Sequence, residues 1–199
     1  MGVLVMHKFS SANKHKLESS ERRAVLPPFK ILKRLGLKEQ MVMADIGSGT
    51  GYFTLPAAEI VGRKGSVYAR DISREMIDTL QMKIKEQGLI NIYPQVSSEN
   101  TFNLPELSID FVLLSHVLHE SYDKALFIAE LDQVLKNNGK VAIIEWRKKP
   151  MKQGPPLSKR LTPAETQALL KKQGFKAAVK FTMGLKFYAL TVRKHGNRY

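Results

Sequence analysis

Short apolar runs bounded by glycine, proline or polar clusters alternate along this chain with stretches whose apolar positions recur every third or fourth residue. Strands joined by crossover helices give that alternation. Residues 41–46 form the first run and pass through Gly47, Gly49 and Gly51 into a helical pattern over 52–61 that ends near Gly62. Residues 65–71 read as the second strand, and strand, helix and strand within about thirty residues make a βαβ unit with a parallel pair and a right-handed crossover. Ser73 caps a helix to about Gln87, closed by Gly88, with Met76, Ile77, Leu80 and Ile84 on one face. Residues 91–96 are a short third strand, and the apolar run over 109–115 reads as a strand buried on both faces.

Further on, residues 122–135 read as an amphipathic helix with Ala125, Ile128, Ala129, Leu131 and Leu135 inward, Asn137-Asn138-Gly139 as a turn, and 140–146 as a fifth strand. Residues 147–160 lack periodicity and hold three prolines and a glycine, so they read as a loop over the mouth of a site. Thr162-Pro163 start a helix to about Gln173, and 175–183 with 186–194 read as two strands joined at Gly184 in an antiparallel hairpin at the sheet edge. Ahead of the sheet, residues 1–16 read as a loose basic arm or lid, 17–23 as helical, and 28–35 as a helix opened by Pro28 and closed by Gly36.

The glycine turn carries the first chemistry. Glycine accepts positive φ and removes the Cβ that would hold a ligand away, while the helix beyond it starts with N–H groups that lack an intrahelical partner. A dinucleotide fingerprint would need glycine at position 52, which is Tyr52, and no Lys-Ser/Thr pair follows as a phosphate-binding P-loop requires. The pattern is D-x-G-x-G-x-G, with Asp45 two residues ahead of Gly47. An acid so placed repels a pyrophosphate and suits a cationic ligand. Asp71 ends the second strand beside this loop, where open α/β sheets bind ligands.

On these residues the chain resembles the class I S-adenosylmethionine-dependent methyltransferases, whose first motif is this one and whose ligand carries an ammonium and a sulfonium. The resemblance covers residues 41–146 with motifs and extends to 194 in the order of elements. It implies a Rossmann-like, doubly wound α/β fold: a seven-stranded sheet, mostly parallel, with a C-terminal antiparallel hairpin and helices on both faces. It implies residues 1–40 as an arm with lid helices and 41–199 as the S-adenosylmethionine-binding domain. The cofactor contacts it implies are Asp45, Gly47, Ser48, Gly49 and Gly51 at the methionine end and Asp71 with Ile72 at the ribose. Glu99 or Asn100 would hold the adenine, in place of the family's usual Asp-Ala, and Ser115 and His116 would lie near the reactive methyl. His116 and His119 are three apart and can face the same way. His119 or Glu145 is the candidate proton acceptor. Trp146 and Arg147 stand at the substrate mouth, although Trp146 reads equally as a residue closing the core.

Composition narrows the chemistry. With no cysteine there is no disulfide, thiolate metal site or cysteine nucleophile, and we read no metal site. No apolar run approaches the ~18 residues of a membrane span, and the chain is expected to be cytoplasmic. The net charge of +14 is uneven: residues 1–40 hold 9 basic against 3 acidic residues, 41–146 hold 9 against 14, and 147–199 hold 14 against 1. An acidic cofactor region between basic flanks suits a small, anionic acceptor. No Asn/Asp-Pro-Pro-Tyr/Phe follows the fourth strand, which argues against the usual methylation of exocyclic base amines, and the whole resembles the small-molecule branch that includes quinone-biosynthesis methyltransferases. Two other readings stay open: an RNA methyltransferase gripping through the basic flanks, and a module that binds the cofactor without turning it over.

Overall fold

The computed structural model describes residues 20–195; the proposed arm at 1–16 lies outside them. Helices α1 (Ser20–Val25) and α2 (Pro28–Leu35) precede β1 (Val42–Ile46), α3 (Thr54–Val61), β2 (Ser66–Asp71), α4 (Arg74–Glu86), β3 (Ile92–Val96) and β4 (Ile109–Ser115). Then come α5 (Lys124–Val134), β5 (Leu135–Trp146), α6 (Pro163–Lys172), β6 (Lys176–Met183) and β7 (Phe187–Arg193). Over the described residues seven strands form one sheet in the order β3-β2-β1-β4-β5-β7-β6. The first five are parallel and β7 runs antiparallel between β5 and β6. This is the doubly wound fold expected.

Alternate residues of each central strand enter opposite cores, as the strand's twofold side-chain period requires. Phe111 and Leu113 of β4 join Leu32, Ala57 and Leu80 on the face covered by α2, α3 and α4. Val112 and Leu114 join Ile128, Leu131 and Leu170 on the face covered by α5 and α6. Order reverses between β1 and β4, so their helices leave toward opposite faces and a crevice opens at their carboxyl ends.

Three local expectations are corrected. The Asn137-Asn138-Gly139 stretch is no free turn but part of β5, which starts at Leu135. Leu135 pairs with Ile109 and Lys140 with Phe111, so the extra residues bulge out of register, with Asn138 at φ 62°. Helix α5 begins only at Lys124, because the Asp123 carboxylate caps it by accepting from the Ala125 and Leu126 amides. That start puts Phe127, Ile128, Leu131 and Val134 inside and leaves Ala125 exposed. Within the loop expected over 147–160, residues Leu157–Lys159 form a 3-10 turn.

Two buried arginines hold the loops around the crevice. Arg70, 3% exposed, donates to the carbonyls of Ala69, Tyr93, Phe102 and Asn103. Arg160, also 3% exposed, donates to those of Arg147, Lys149, Gln153 and Pro155. A guanidinium is the side chain with enough fixed donors for four carbonyls. Burial lowers the Arg70 pKa to about 10, so it stays charged at neutral pH.

Replacing Arg70 by leucine strands those carbonyls beneath the 97–103 loop. It should lower the unfolding free energy in urea by about 2–4 kcal/mol, since hydrogen bonds to a charged donor are worth more than neutral ones. A loss within experimental error would mean that the guanidinium is incidental to the fold.

Candidate functional site

Residues 47–51 leave β1 by a turn that only glycine can make at three positions. Gly47, Gly49 and Gly51 have φ of 74°, 53° and 92°, where a side chain is strained. Gly47 has a second reason, because a Cβ there would lie 2.3 Å from Val117 Cγ2. The loop's amides are largely spent within the protein. Those of Gly47 and Ser48 donate to the Arg70 carbonyl, Gly51 to that of Ser48, and Gly49 to Asp71 Oδ2 at 2.8 Å. The loop therefore offers closeness of approach more than the free donors expected from sequence. The charge of a ligand must be met by side chains.

Two carboxylates stand there. Asp45, 2% exposed, accepts from Thr54 Oγ1 at 2.6 Å. Burial is the main reason its pKa rises to about 6; the Thr54 bond lowers it, the Asp71 charge raises it and the Arg22 charge lowers it. Asp71 accepts from Gly49 through Oδ2 and from the Ser73 amide through Oδ1. Its pKa is also raised by burial, against the pull of the Ser73, Gly49 and Ile72 amides. A carboxylate has about four acceptor sites, so Asp71 keeps capacity for two hydroxyls. Ile72 beside it is 43% exposed, an apolar surface at the crevice edge.

Past β3, Glu99 accepts from the Tyr122 amide and so ties this loop to the start of α5. Asn100 beside it is buried with Oδ1 unpaired. Among the described residues, the buried side-chain atoms without a hydrogen bond are Ser48 Oγ, Asn100 Oδ1, His116 Nε2 and Ser121 Oγ. All four follow the carboxyl ends of β1, β3 and β4. Buried polar atoms are nearly always paired, so this cluster fits a polar ligand lying across those ends. The two acids, the side-chain-free loop and the Asn100 oxygen match the cationic, ribose and adenine parts of S-adenosylmethionine.

On the other side of the crevice, residues 116–120 form a turn rather than a helix. His116 takes φ 62°, unusual for a residue with a side chain, and its amide donates to the Ile144 carbonyl. Its ring packs against Phe187 at 4.9 Å and Trp146 at 5.5 Å, with Nδ1 3.1 Å from Ser115 Oγ. Burial, with the charges of Arg22 and His119 adding, holds its pKa well below 6.5, so it is neutral. His119 and Glu145, separate candidates in the sequence, are one unit: His119 Nδ1 lies 2.7 Å from Glu145 Oε2, and the two are 4% and 1% exposed. Glu145 also accepts from the His119 and Trp146 amides. Burial pulls the His119 pKa down, but the bond to Glu145 and its charge outweigh that and the net shift is upward.

Trp146 stacks edge-on against Phe187, the Arg160 guanidinium lies 5.6 Å from its ring, and a Cβ on Gly154 would meet it at 2.7 Å. Its own loop thus covers much of the ring, while Arg147 is exposed. Helix α1, in the segment expected to supply lid helices, reaches the residue that follows the glycine turn. The Arg22 guanidinium sits 4.2 Å over the Tyr52 ring, whose hydroxyl donates to the Leu26 carbonyl.

A family model described as a methyltransferase domain matches residues 44–143. A crystal structure of a SAM dependent methyltransferase from Aquifex aeolicus is 31% identical, with a TM-score of 0.89 over 94% of this chain and 99% of that one. The demethylmenaquinone methyltransferase of Geobacillus sp. (strain WCH70) is 30% identical over 57% of this chain and 49% of its own length. The ubiquinone/menaquinone biosynthesis C-methyltransferase of Shewanella piezotolerans is 31% identical over 59% of this chain and 47% of its own. The chain spans about half the length of these curated relatives.

The raised Asp45 pKa has a measurable consequence. Between the unfolded value near 3.8 and the folded one near 6 the native protein holds the extra proton. Stability from this group is therefore full below that window and is lost as pH rises through it. Asp45→Asn should gain stability over the wild type by about 3 kcal/mol between pH ~3.5 and ~7, read by urea unfolding. A constant difference across that range would refute the raised pKa.

Proposed function

This chain belongs to the methyltransferase-domain family of S-adenosylmethionine-dependent enzymes, and we propose that it methylates a small phenol- or hydroquinone-like acceptor whose proton is taken by His119. The observation that carries the reading is the 2.7 Å contact of His119 Nδ1 with Glu145 Oε2 at the carboxyl end of β5, across the crevice from Asp45 and Asp71. Support for the acceptor class comes from the names of the curated relatives, which act in menaquinone and ubiquinone biosynthesis.

When bound, the donor supplies a methyl group on a sulfonium, open to in-line displacement. Everything else falls to the chain. Gly47, Ser48, Gly49 and Gly51 let the donor approach the backbone, and Asp45 faces its ammonium. Asp71 and Ile72 receive the ribose and Asn100 the adenine. Ser115 and the neutral His116 would hold the reactive end of the donor. Charge neutralisation by Asp45 and Asp71 orients the donor, and orientation is the larger part of catalysis in such a displacement.

Glu145 fixes the tautomer of His119. Three donors already face its two oxygens, so it is a positioning residue. The proton on Nδ1 is held toward Glu145, and Nε2, 3.8 Å from Glu120 Oε1, is the nitrogen that would accept the substrate hydroxyl proton. The chain's own part in that displacement would be to keep the acceptor's proton on His119 Nε2 while the bound donor supplies the methyl group. The raised pKa of His119 makes it a stronger base once deprotonated.

His119→Ala should lower kcat on a responsive phenol by about 10²–10⁴ while leaving the affinity for S-adenosylhomocysteine within about threefold. Since the neutral imidazole is the active form, kcat rises with pH through the His119 pKa. Glu145→Gln removes the charge that raises this pKa, so the acid limb should move to lower pH with a reduced plateau. Full activity of His119→Ala, or an unmoved limb in Glu145→Gln, would refute the assignment.

A further inference from the structure

Beside the crevice, the start of the loop after β5 and the turn between β6 and β7 border an open cleft of about 360 Å³, lined in part by Lys149, Met151, Lys152, Leu185 and Lys186. Leu185, at the tip of the turn, is 77% exposed. Such exposure of leucine is common singly, but here lysines flank it on both segments. Hydrogen bonds tie the two segments together. Arg160 fastens the loop through the Lys149 and Gln153 carbonyls, Lys186 Nζ donates to Gln153 Oε1 at 2.8 Å, and the Arg147 amide donates to the Lys186 carbonyl at 2.9 Å.

Within residues 147–199 basic residues outnumber acidic ones 14 to 1. Glu165 is the one acid among residues 147–199, and it is paired with Lys148 at 2.7 Å. A dense basic surface calls for a polyanion. The exposed large side chains among these lysines are aliphatic. Single-stranded nucleic acid is held by aromatic stacking as well as charge, whereas an anionic bilayer is met by lysines over headgroups with an aliphatic side chain at the acyl boundary. The rim also adjoins the entrance: Gly154 lies against Trp146, and a Cβ on Gly184 would lie 3.5 Å from Val25 of α1.

We propose that the rim formed by residues 149–153 and 185–186 docks the protein on an anionic membrane, with Lys149, Lys152 and Lys186 at the headgroup phosphates and Leu185 inserted below them. The surface goes beyond the methyl-transfer reading and does not depend on it. It would turn the crevice mouth toward the bilayer, from which an apolar acceptor could enter.

The test is co-sedimentation of the full chain with vesicles of phosphatidylcholine alone or mixed with phosphatidylglycerol, at about 0.15 M salt. Binding to the mixed vesicles should exceed that to the neutral ones by about tenfold or more. Lys149→Glu with Lys152→Glu should cost at least about tenfold, and Leu185→Ser several-fold. Circular dichroism and S-adenosylhomocysteine calorimetry should be unchanged in both variants, which separates loss of docking from loss of fold or cofactor site. Equal binding to both vesicle types, or a Leu185→Ser variant that binds as well as wild type, would overturn the proposal. So would an RNA oligonucleotide that binds more tightly than vesicles and is indifferent to Leu185, since the surface would then be a nucleic-acid face.

Discussion

Two carboxylates buried side by side at the reversal point of a parallel sheet are the constraint on which this structure depends. Asp45 and Asp71 each lose water on folding, which raises both pKa values, and the Asp71 charge raises that of Asp45 further. The protein offsets the cost with hydrogen bonds: the Thr54 hydroxyl for Asp45, and the Gly49 and Ser73 amides for Asp71. The bond from Gly49 also fixes the glycine turn, so the carboxylate shapes the surface that a ligand touches. What remains unbalanced is negative charge in a crevice. A cationic ligand removes that imbalance and a pyrophosphate would worsen it.

Across the crevice the logic is reversed. His116 is kept neutral by burial, whereas His119 is pushed toward its charged form by Glu145. Two imidazoles three residues apart are thereby separated in basicity. The fold makes this possible because β4 and β5 are adjacent, bringing Glu145 under the turn that carries His119.

The sequence was most informative where the physics is local. A strand leading into Gly47, Gly49 and Gly51, a strand-end acid at Asp71, the caps at Ser73 and Thr162, and the hairpin at Gly184 were all legible, since each follows from backbone freedom or from a side chain bonding its own neighbours. Reasoning failed where distant residues decide. Asn137-Asn138-Gly139 has turn composition, but pairing of Leu135 with Ile109, and of the Lys194 amide with the Gly139 carbonyl, draws it into the sheet. Arg70 and Arg160 look like ordinary surface charges because their partner carbonyls are invisible in composition. His119 and Glu145 could each be nominated, but the bond between residues 26 positions apart could not be read from either.

The most direct test of the central claim is calorimetric titration of S-adenosylmethionine into the protein across pH ~5–7, in buffers of differing ionisation enthalpy. If Asp45 and Asp71 are poised for a cation, binding near pH ~6 releases a proton and affinity strengthens as pH rises through the Asp45 pKa. Absence of binding heat, or an affinity that is flat over this window with no proton exchanged, would contradict the account.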